Sequence, residues 1–320
     1  MFKYRDYKLI KPNSTQKNQI DGLVDESLGS VFHETALNEI AGKYFGTDLF
    51  YLVNDEDKIS DFSPVHVIKR HLVGHEYHLK PLKDIPYSGF LSKKKVLPEE
   101  FRIGFFDSVI YSGLPFERGS EEIYDPKEVG LTSMVDLSLD ETEIFDGVLH
   151  SKRRNMVRKA RKSGISIEYF KDKKGLDIIR PMIESLHSYL GYEIDFNYYL
   201  DLFEKYAKID QAFVLIAFKD TEPLSGVFIL GNKNIMHYYK GVSDSNLKNE
   251  GQGELLQWEA ILKAKELGSK YYDLCNLDPV NLSGIYKFKT GICNELYTFQ
   301  KYKNSKFGFK LRNRLEKLLW

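Results

Sequence analysis

The stretch from Ile235 to Lys301 constrains this 320-residue chain most. Ile235–Val242 (IMHYYKGV) alternates as a strand, and Asn249-Glu250-Gly251-Gln252-Gly253 opens a helix through Leu267. A strand at Tyr271–Cys275 follows, then a short helix or turn near Ser283–Thr290 and a last strand at Glu295–Tyr302. A glycine turn feeding a helix N-terminus presents backbone N–H groups that suit phosphate. A lysine beyond the next strand can supply positive charge where a reacting carbonyl becomes an oxyanion. Together these features predict acyl transfer from a phosphate-bearing donor.

The residues upstream extend the pattern. Ile165–Phe170 (ISIEYF) alternates as a strand, and Leu176–Leu190 and Phe196–Ala207 have helical spacing. Ala212–Phe218 and Ser225–Leu230 precede Ile235–Val242, joined by Lys219–Pro223 and Gly231–Asn234, short polar links that predict an antiparallel meander. The order is therefore β-α-α-β-β-β-α-β-α-β. A charged helical region spans Asp140 to Ser163, with Ser138 and Glu141 at capping-box spacing and Gly164 placed to stop it. In the first half, Phe32–Phe45 reads as a helix and Leu49–Val53 and Val65–Val73 as strands. The length favours two domains: 1–139, completed by a C-terminal helix 303–320, and 140–302.

Lys+Arg and Asp+Glu are equal at 46 each, which removes any argument for general nucleic-acid binding and leaves anionic partners to local patches. Cys275 and Cys293 have neither metal-ligand nor redox spacing and read as buried thiols of a reducing compartment. The N-terminal MFKYRDYKLIKP is unlike a signal peptide, and no apolar run approaches the ~18 residues of a membrane span. The expectation is a cytoplasmic protein without a transmembrane segment.

Candidate chemistry sits in several places. Lys248, Gly251, Gln252 and Gly253 form the turn expected to meet donor phosphates. Ser151–Lys162 (SKRRNMVRKARK) is a basic helix with a narrow apolar stripe of Leu149, Met156, Val157 and Ala160. It is either a solvated helix or a patch for substrate phosphates, with Arg154 and Arg158 one turn apart. Lys289 is the candidate oxyanion partner. Tyr286 either orients substrate and protonates the leaving group or plugs the core, and Asp273 is either a general base or a turn cap. Tyr239 is a candidate substrate contact, although the Tyr238-Tyr239 pair and Trp258 also suit a core or cleft wall. His66, His71, His75 and His78 fall across strand and loop without a metal motif, so no metal is expected. Lys306–Trp320 is a basic amphipathic helix, with Leu311, Leu315, Leu318 and Leu319 apolar. It either packs on the first domain or rests on an anionic membrane surface.

The element order resembles the GNAT acyltransferase fold. Lys248-x-x-Gly251-x-Gly253 is similar to the [Gln/Arg]-x-x-Gly-x-[Gly/Ala] turn that cradles coenzyme A in that fold, with lysine in place of Gln or Arg. More narrowly, HSKRRNMVRKARKSGISIE, LLQWEAILKAKELGSKYYDL and GIYKFKTGICNEL resemble the Fem-type aminoacyltransferases and their FemAB-like relatives. VFHETALNEI and DIPYSGFL resemble the first half of the FemAB-like proteins. The resemblance implies an α/β fold of two tandem GNAT-like domains, with mixed central sheets flanked by helices. It also implies amide formation on an amine of a nucleotide- or lipid-linked cell-envelope precursor (a surface-polysaccharide amino sugar or a peptidoglycan-type peptide), with Phe288 and Lys289 as the catalytic pair. Acyl-CoA is the donor favoured by the glycine turn. Aminoacyl-tRNA is the alternative favoured by Phe288-Lys289 and the basic helix, although the coiled-coil insertion some Fem enzymes use around tRNA is missing. A third reading keeps the fold as a non-catalytic module that binds RNA or a lipid-linked precursor.

Overall fold

The computed structural model describes residues 2–70, 74–80, 85–92, 96–115, 117–244, 248–311 and 314. His71, residues 71–73 of the expected strand, and Leu315, Leu318 and Leu319 of the expected C-terminal helix lie outside them. The chain divides into two compact units, Met1–Leu131 with Thr298–Trp320, and Thr132–Tyr297.

In unit one, β1 (Lys8–Ile10) leads into α1 (Ser14–Glu26) and α2 (Thr35–Phe45). A meander follows, β2 (Asp48–Val53), β3 (Phe62–Lys69) and β4 (His75–Leu79), and then β5 (Ser108–Ser112). The expected helix Phe32–Phe45 breaks at Glu34. Ser30 and Glu34 are both extended, leaving a 3-10 turn at Val31–His33, and Asn38 ties the break by donating to the Phe32 and Glu34 carbonyls. The strands β1 to β4 pair antiparallel in sequence order, and β4 pairs β5 in parallel. A short β6 (Glu117–Arg118) precedes β7 (Val129–Asp136), whose last residues pass into unit two.

Unit two repeats that plan. The expected single helix from Asp140 resolves into a π-helical turn (Glu143–Val148) and α3 (Ser151–Lys162). The reciprocal cap falls on Asp140 and Glu143 rather than Ser138 and Glu141, because the Ser138 N–H is held by the Asp136 carboxylate at 2.9 Å. The elements that follow are β8 (Ile165–Phe170), α4 (Lys173–Leu190), α5 (Phe196–Ala207), β9 (Ala212–Lys219), β10 (Glu222–Gly231) and β11 (Ile235–Ser243). The unit closes with α6 (Gln252–Glu266), β12 (Tyr271–Asp273) and α7 (Ser283–Ile292). Strands β8 to β11 form an antiparallel meander, β11 pairs β12 in parallel, and β12 pairs the end of β7 antiparallel.

Finally β13 (Leu296–Ser305) pairs β5 antiparallel, from Lys301↔Ser112 to Ser305↔Ser108. The shared plan is a meander, one parallel pair and a last antiparallel strand, so the chain holds two tandem copies of one α/β fold. They differ at one point. Between the meander and the parallel strand, unit two inserts α6, whereas the described residues of unit one carry only a 3-10 turn at Pro98–Glu100. Among its described residues unit one therefore has no α-helix N-terminus where unit two has one. Each unit has its own apolar core. In unit two it is built from Val157 and Ala160 of α3, Leu255, Trp258 and Ile261 of α6, and the inner faces of β9 to β12.

Candidate active site

The parallel pair β11–β12 is only three residues long, Ile235↔Tyr271 to His237↔Asp273. Beyond that pair β12 ends while β11 runs on to Ser243, so the sheet forks. Two consecutive left-handed residues turn the chain out of β12, Cys275 (φ 53°) and Asn276 (φ 37°). Neither is glycine, so the conformation is disfavoured by steric contact with Cβ and is held by its surroundings. The holder is Asp273, wholly buried. One of its oxygens accepts from the Thr132 hydroxyl and from the Cys275 N–H at 2.9 Å. The other lies 2.9 Å from His237 Nδ1 and accepts from the Cys275 thiol at 3.2 Å. Both oxygens are engaged and the side chain has no exposure, the surroundings of a structural acceptor.

Lys289 projects from α7 into the fork. Its ammonium donates to the Cys275 carbonyl at 2.6 Å and to that of Asn276 at 3.4 Å, and it lies 5.2 Å from the centroid of the Tyr238 ring. It therefore touches β11 just past the last paired residue, and the chain leaving β12 on the other side. Burial lowers its pKa to about 8, which still leaves it mostly protonated at neutral pH. An ammonium has three donors, and these contacts use two. Burial in turn pushes the Tyr238 hydroxyl up to about 12 and the Cys275 thiol well above its ordinary value, so neither ionises readily.

Gly251 precedes α6 with φ 95°, and a Cβ there would collide with the Met156 carbonyl of α3. The backbone conformation and the packing of α6 on α3 thus both require glycine here. At Gly253 a Cβ would meet nothing closer than the Phe288 ring at 3.6 Å. Gln252 folds back, accepting from the Glu250 N–H at 2.8 Å and donating to the Lys248 carbonyl at 3.3 Å. Lys219 pairs with Glu250 at 2.5 Å, the Lys159 ammonium lies 3.4 Å from the Asn249 carbonyl, and Lys248 also acts on Glu250. Three cations from three segments thus surround one acid at this helix start. In the first turn, Glu254 is buried but neutralised by Arg153 at 2.7 Å. Arg153 also donates to the Lys287 carbonyl and lies over the Phe288 ring at 5.1 Å, tying α3, α6 and α7 together.

The family profile of the acetyltransferase (GNAT) domain matches residues 151–290, which span α3 to α7. Residues 151–290 therefore carry a GNAT acetyltransferase domain. No functionally curated protein matches its sequence. Among solved structures, FemX matches with a TM-score of 0.66 at 12% identity over 96% of this chain and 99% of that one. The tandem GNAT protein from the clavulanic acid biosynthesis pathway matches with a TM-score of 0.51 at 10% identity, covering 93% and 98%. L-PGS from Bacillus licheniformis gives 0.50 at 13% identity, with 93% of each chain covered. At these identities the likeness is one of fold, and it agrees with the tandem plan.

The remaining candidates make the following contacts. Arg154 is committed to the π-helical turn, donating to the Asp146 and Leu149 carbonyls at 2.7 Å each. Arg158 contacts Asp146 at 3.9 Å and covers the Phe145 ring at 5.1 Å. The exposed lysines of α3 are Lys152, Lys159 and Lys162. Tyr239 is buried, its hydroxyl donating to Tyr198 and its ring standing edge-on to Phe228. Tyr286 is buried on α7. His66 is buried between Thr47 and Asn38, and burial lowers its pKa to about 3. His78 faces Glu76 at 3.2 Å and His75 faces Asp107 at 3.6 Å. Among the described residues, one trio of His, Cys and carboxylate has its ligand atoms close enough to share an ion: His237, Asp273 and Cys275. The hydrogen bonds to Asp273 account for their approach.

Sequence reasoning missed His237, Thr132 and Lys240. A bulge explains Lys240. Phe228 pairs with Lys240 and Ile229 with Tyr238, so Tyr239 is the extra residue of β11. Tyr239 and Lys240 then both meet α4–α5 aromatics, Lys240 lying 3.5 Å from the Tyr192 hydroxyl. Strict alternation cannot reveal that.

Proposed function

We propose that the enzyme transfers an acyl group from acyl-CoA to an amine of a cell-envelope precursor, with Lys289 as the oxyanion partner. The observation that carries this is the placement of a buried ammonium at the fork between β11 and β12. Past His237 the edge of β11 faces the gap left by β12, so an extended thioester arm can lie along it with its carbonyl at Lys289. The amine attacks the carbonyl carbon, the carbonyl oxygen takes negative charge, and the C–S bond then breaks to give the amide and the thiol. A fixed ammonium at that oxygen lowers the barrier by roughly 3–4 kcal/mol. The donor phosphates are assigned to the start of α6, where a helix leaves its first N–H groups without intrahelical partners and Lys159, Lys219 and Lys248 add positive charge. The cell-envelope setting is supported by the fold shared with FemX and by the Fem-like segments around α3 and α7.

Lys289→Ala is expected to cut turnover by a hundredfold or more, on the scale of one lost oxyanion donor, with the fold intact by circular dichroism. Near-normal turnover would end this assignment. A thermal-shift series with acetyl-CoA, longer acyl-CoAs and charged tRNA tests the donor. Stabilisation by the thioesters supports acyl-CoA, and stabilisation by charged tRNA alone replaces it with aminoacyl-tRNA.

A further inference from the structure

Unit one carries a surface feature that acyl transfer does not use. Phe105 (59% exposed), Phe106 (40%), Phe307 (69%) and Leu311 (45%) reach solvent together. The Phe105 and Phe106 rings stand edge to face at 5.0 Å, and Phe307 lies 6.3 Å from Phe105. Gly308 lets the segments approach, since a Cβ there would press on the rings of Phe105 and Phe106. Exposed cations accompany them, Lys303, Lys306, Lys310 and Arg314, and none of the four forms an ion pair among the described residues. The neighbouring acid, Asp107, is buried and turned inward, accepting from the His75 and Gly104 N–H groups at 2.8 and 2.9 Å. Alongside runs a groove of about 870 Å³ whose charged lining is Lys127, Lys301, Lys303 and Lys310 against the single exposed acid Glu128, so Lys303 and Lys310 belong to both patch and groove.

We infer that this face docks the protein on an anionic phospholipid bilayer, with the rings and Leu311 entering the headgroup boundary and the lysines at phosphate level. Either signal alone gives marginal attachment, whereas an apolar insertion combined with a basic patch gives stable attachment. Each lysine near an anionic surface contributes about fivefold in affinity. A second copy of the chain fits less well, because a two-fold contact would set these lysines against themselves. RNA fits less well because the rings pack on one another and on Gly308 rather than offering open faces for stacking, and Leu311 offers no ring at all.

The test is co-sedimentation of the full chain with vesicles of phosphatidylglycerol and phosphatidylcholine in equal parts, against phosphatidylcholine alone. Binding is expected only to the anionic vesicles, weakening as salt rises. F105S/F307S and K306E/K310E should each weaken it at least tenfold while keeping the wild-type Tm, since all four side chains are exposed. The inference is overturned by absence of binding to anionic vesicles, by equal binding of wild type and F105S/F307S, or by a lipid-free dimer that F307S dissociates. RNA binding that K306E/K310E abolishes, without any vesicle binding, overturns it as well. None of these outcomes bears on the role of Lys289.

Discussion

A lysine whose pKa burial has brought down to about 8 is charged at neutral pH and loses its charge a little above it. Oxyanion stabilisation requires the charged form, so kcat/KM is expected to fall as pH rises through about 8. The same shift acts on stability. The folded pKa lies below the unfolded one, so the unfolded chain binds the extra proton between them, and stability from this group rises as pH climbs from about 8 toward the ordinary lysine value. A drop from 10.5 to about 8 corresponds to on the order of 3 kcal/mol. The Tm of wild type relative to Lys289→Met should therefore climb across that window, and two parallel Tm profiles would count against the burial argument. Asp273 gives a different signature. Asp273→Asn puts a donor where the Cys275 N–H, Thr132 or His237 expects an acceptor, so both kcat and Tm should fall, the latter by the equivalent of about 1–3 kcal/mol. The acid limb of the pH–rate profile should survive. Its disappearance in Asp273→Asn would instead identify Asp273 as the base. At this scale the sequence marks Lys289 as a candidate and places the end of β12, but it does not show the hub around Asp273. Its partner Thr132 lies in VGLTSMVD, whose polar centre hides a buried strand, and His237 reads as one alternating residue among many.

At the level of elements, the two glycines at the start of α6 separate packing from ligand binding. Gly251→Ala forces an L-residue to φ 95° and drives a methyl into the Met156 carbonyl, so it should destabilise unit two by about 1–3 kcal/mol from the backbone alone. Gly253→Ala adds a methyl at ordinary contact distance from Phe288. Its Tm should match wild type, whereas KM for the donor should rise severalfold if phosphates approach that backbone. A wild-type KM in Gly253→Ala would remove the phosphate role from this turn. Most of unit two's order was legible because each segment is strongly periodic: ISIEYF is β8 residue for residue, and Phe196–Ala207 is α5. The helix starting at Asp140 was not. Apart from Gly147 its sequence is helix-compatible, and the break at Leu149–His150 is held by contacts, with the His150 N–H donating to the Gly291 carbonyl and Arg154 gathering the free carbonyls. In unit one, α1 (STQKNQIDGLVDE) buries only Ile20 and Val24, too thin an apolar stripe to read without its Asn13–Gln16 cap.

On the scale of the whole molecule, unit two is a continuous segment and unit one is not. The fragment 132–297 should therefore unfold cooperatively by itself, since its core and its strands β8 to β12 are all internal to it. A chain stopped at residue 297 loses most of β13. It thereby exposes the edge of β5 and removes Phe299, whose ring lies 5.4 Å from that of Tyr87. Calorimetry of that truncation is expected to retain the unit-two transition and lose the other. Retention of both would show that β13 is dispensable.

The pairing of β13 with β5 also sets a timetable for synthesis. When β5 leaves the ribosome, the strand that will cover its edge has not yet been translated, and all of unit two must be made first. At about 5–20 residues per second this wait lasts on the order of ten seconds or more. During it the nascent chain carries an open strand edge, a template for mispairing. Unit two can be finished while unit one still waits, so a chaperone that shields the β5 edge would act on the first unit synthesised, which is the last to be completed.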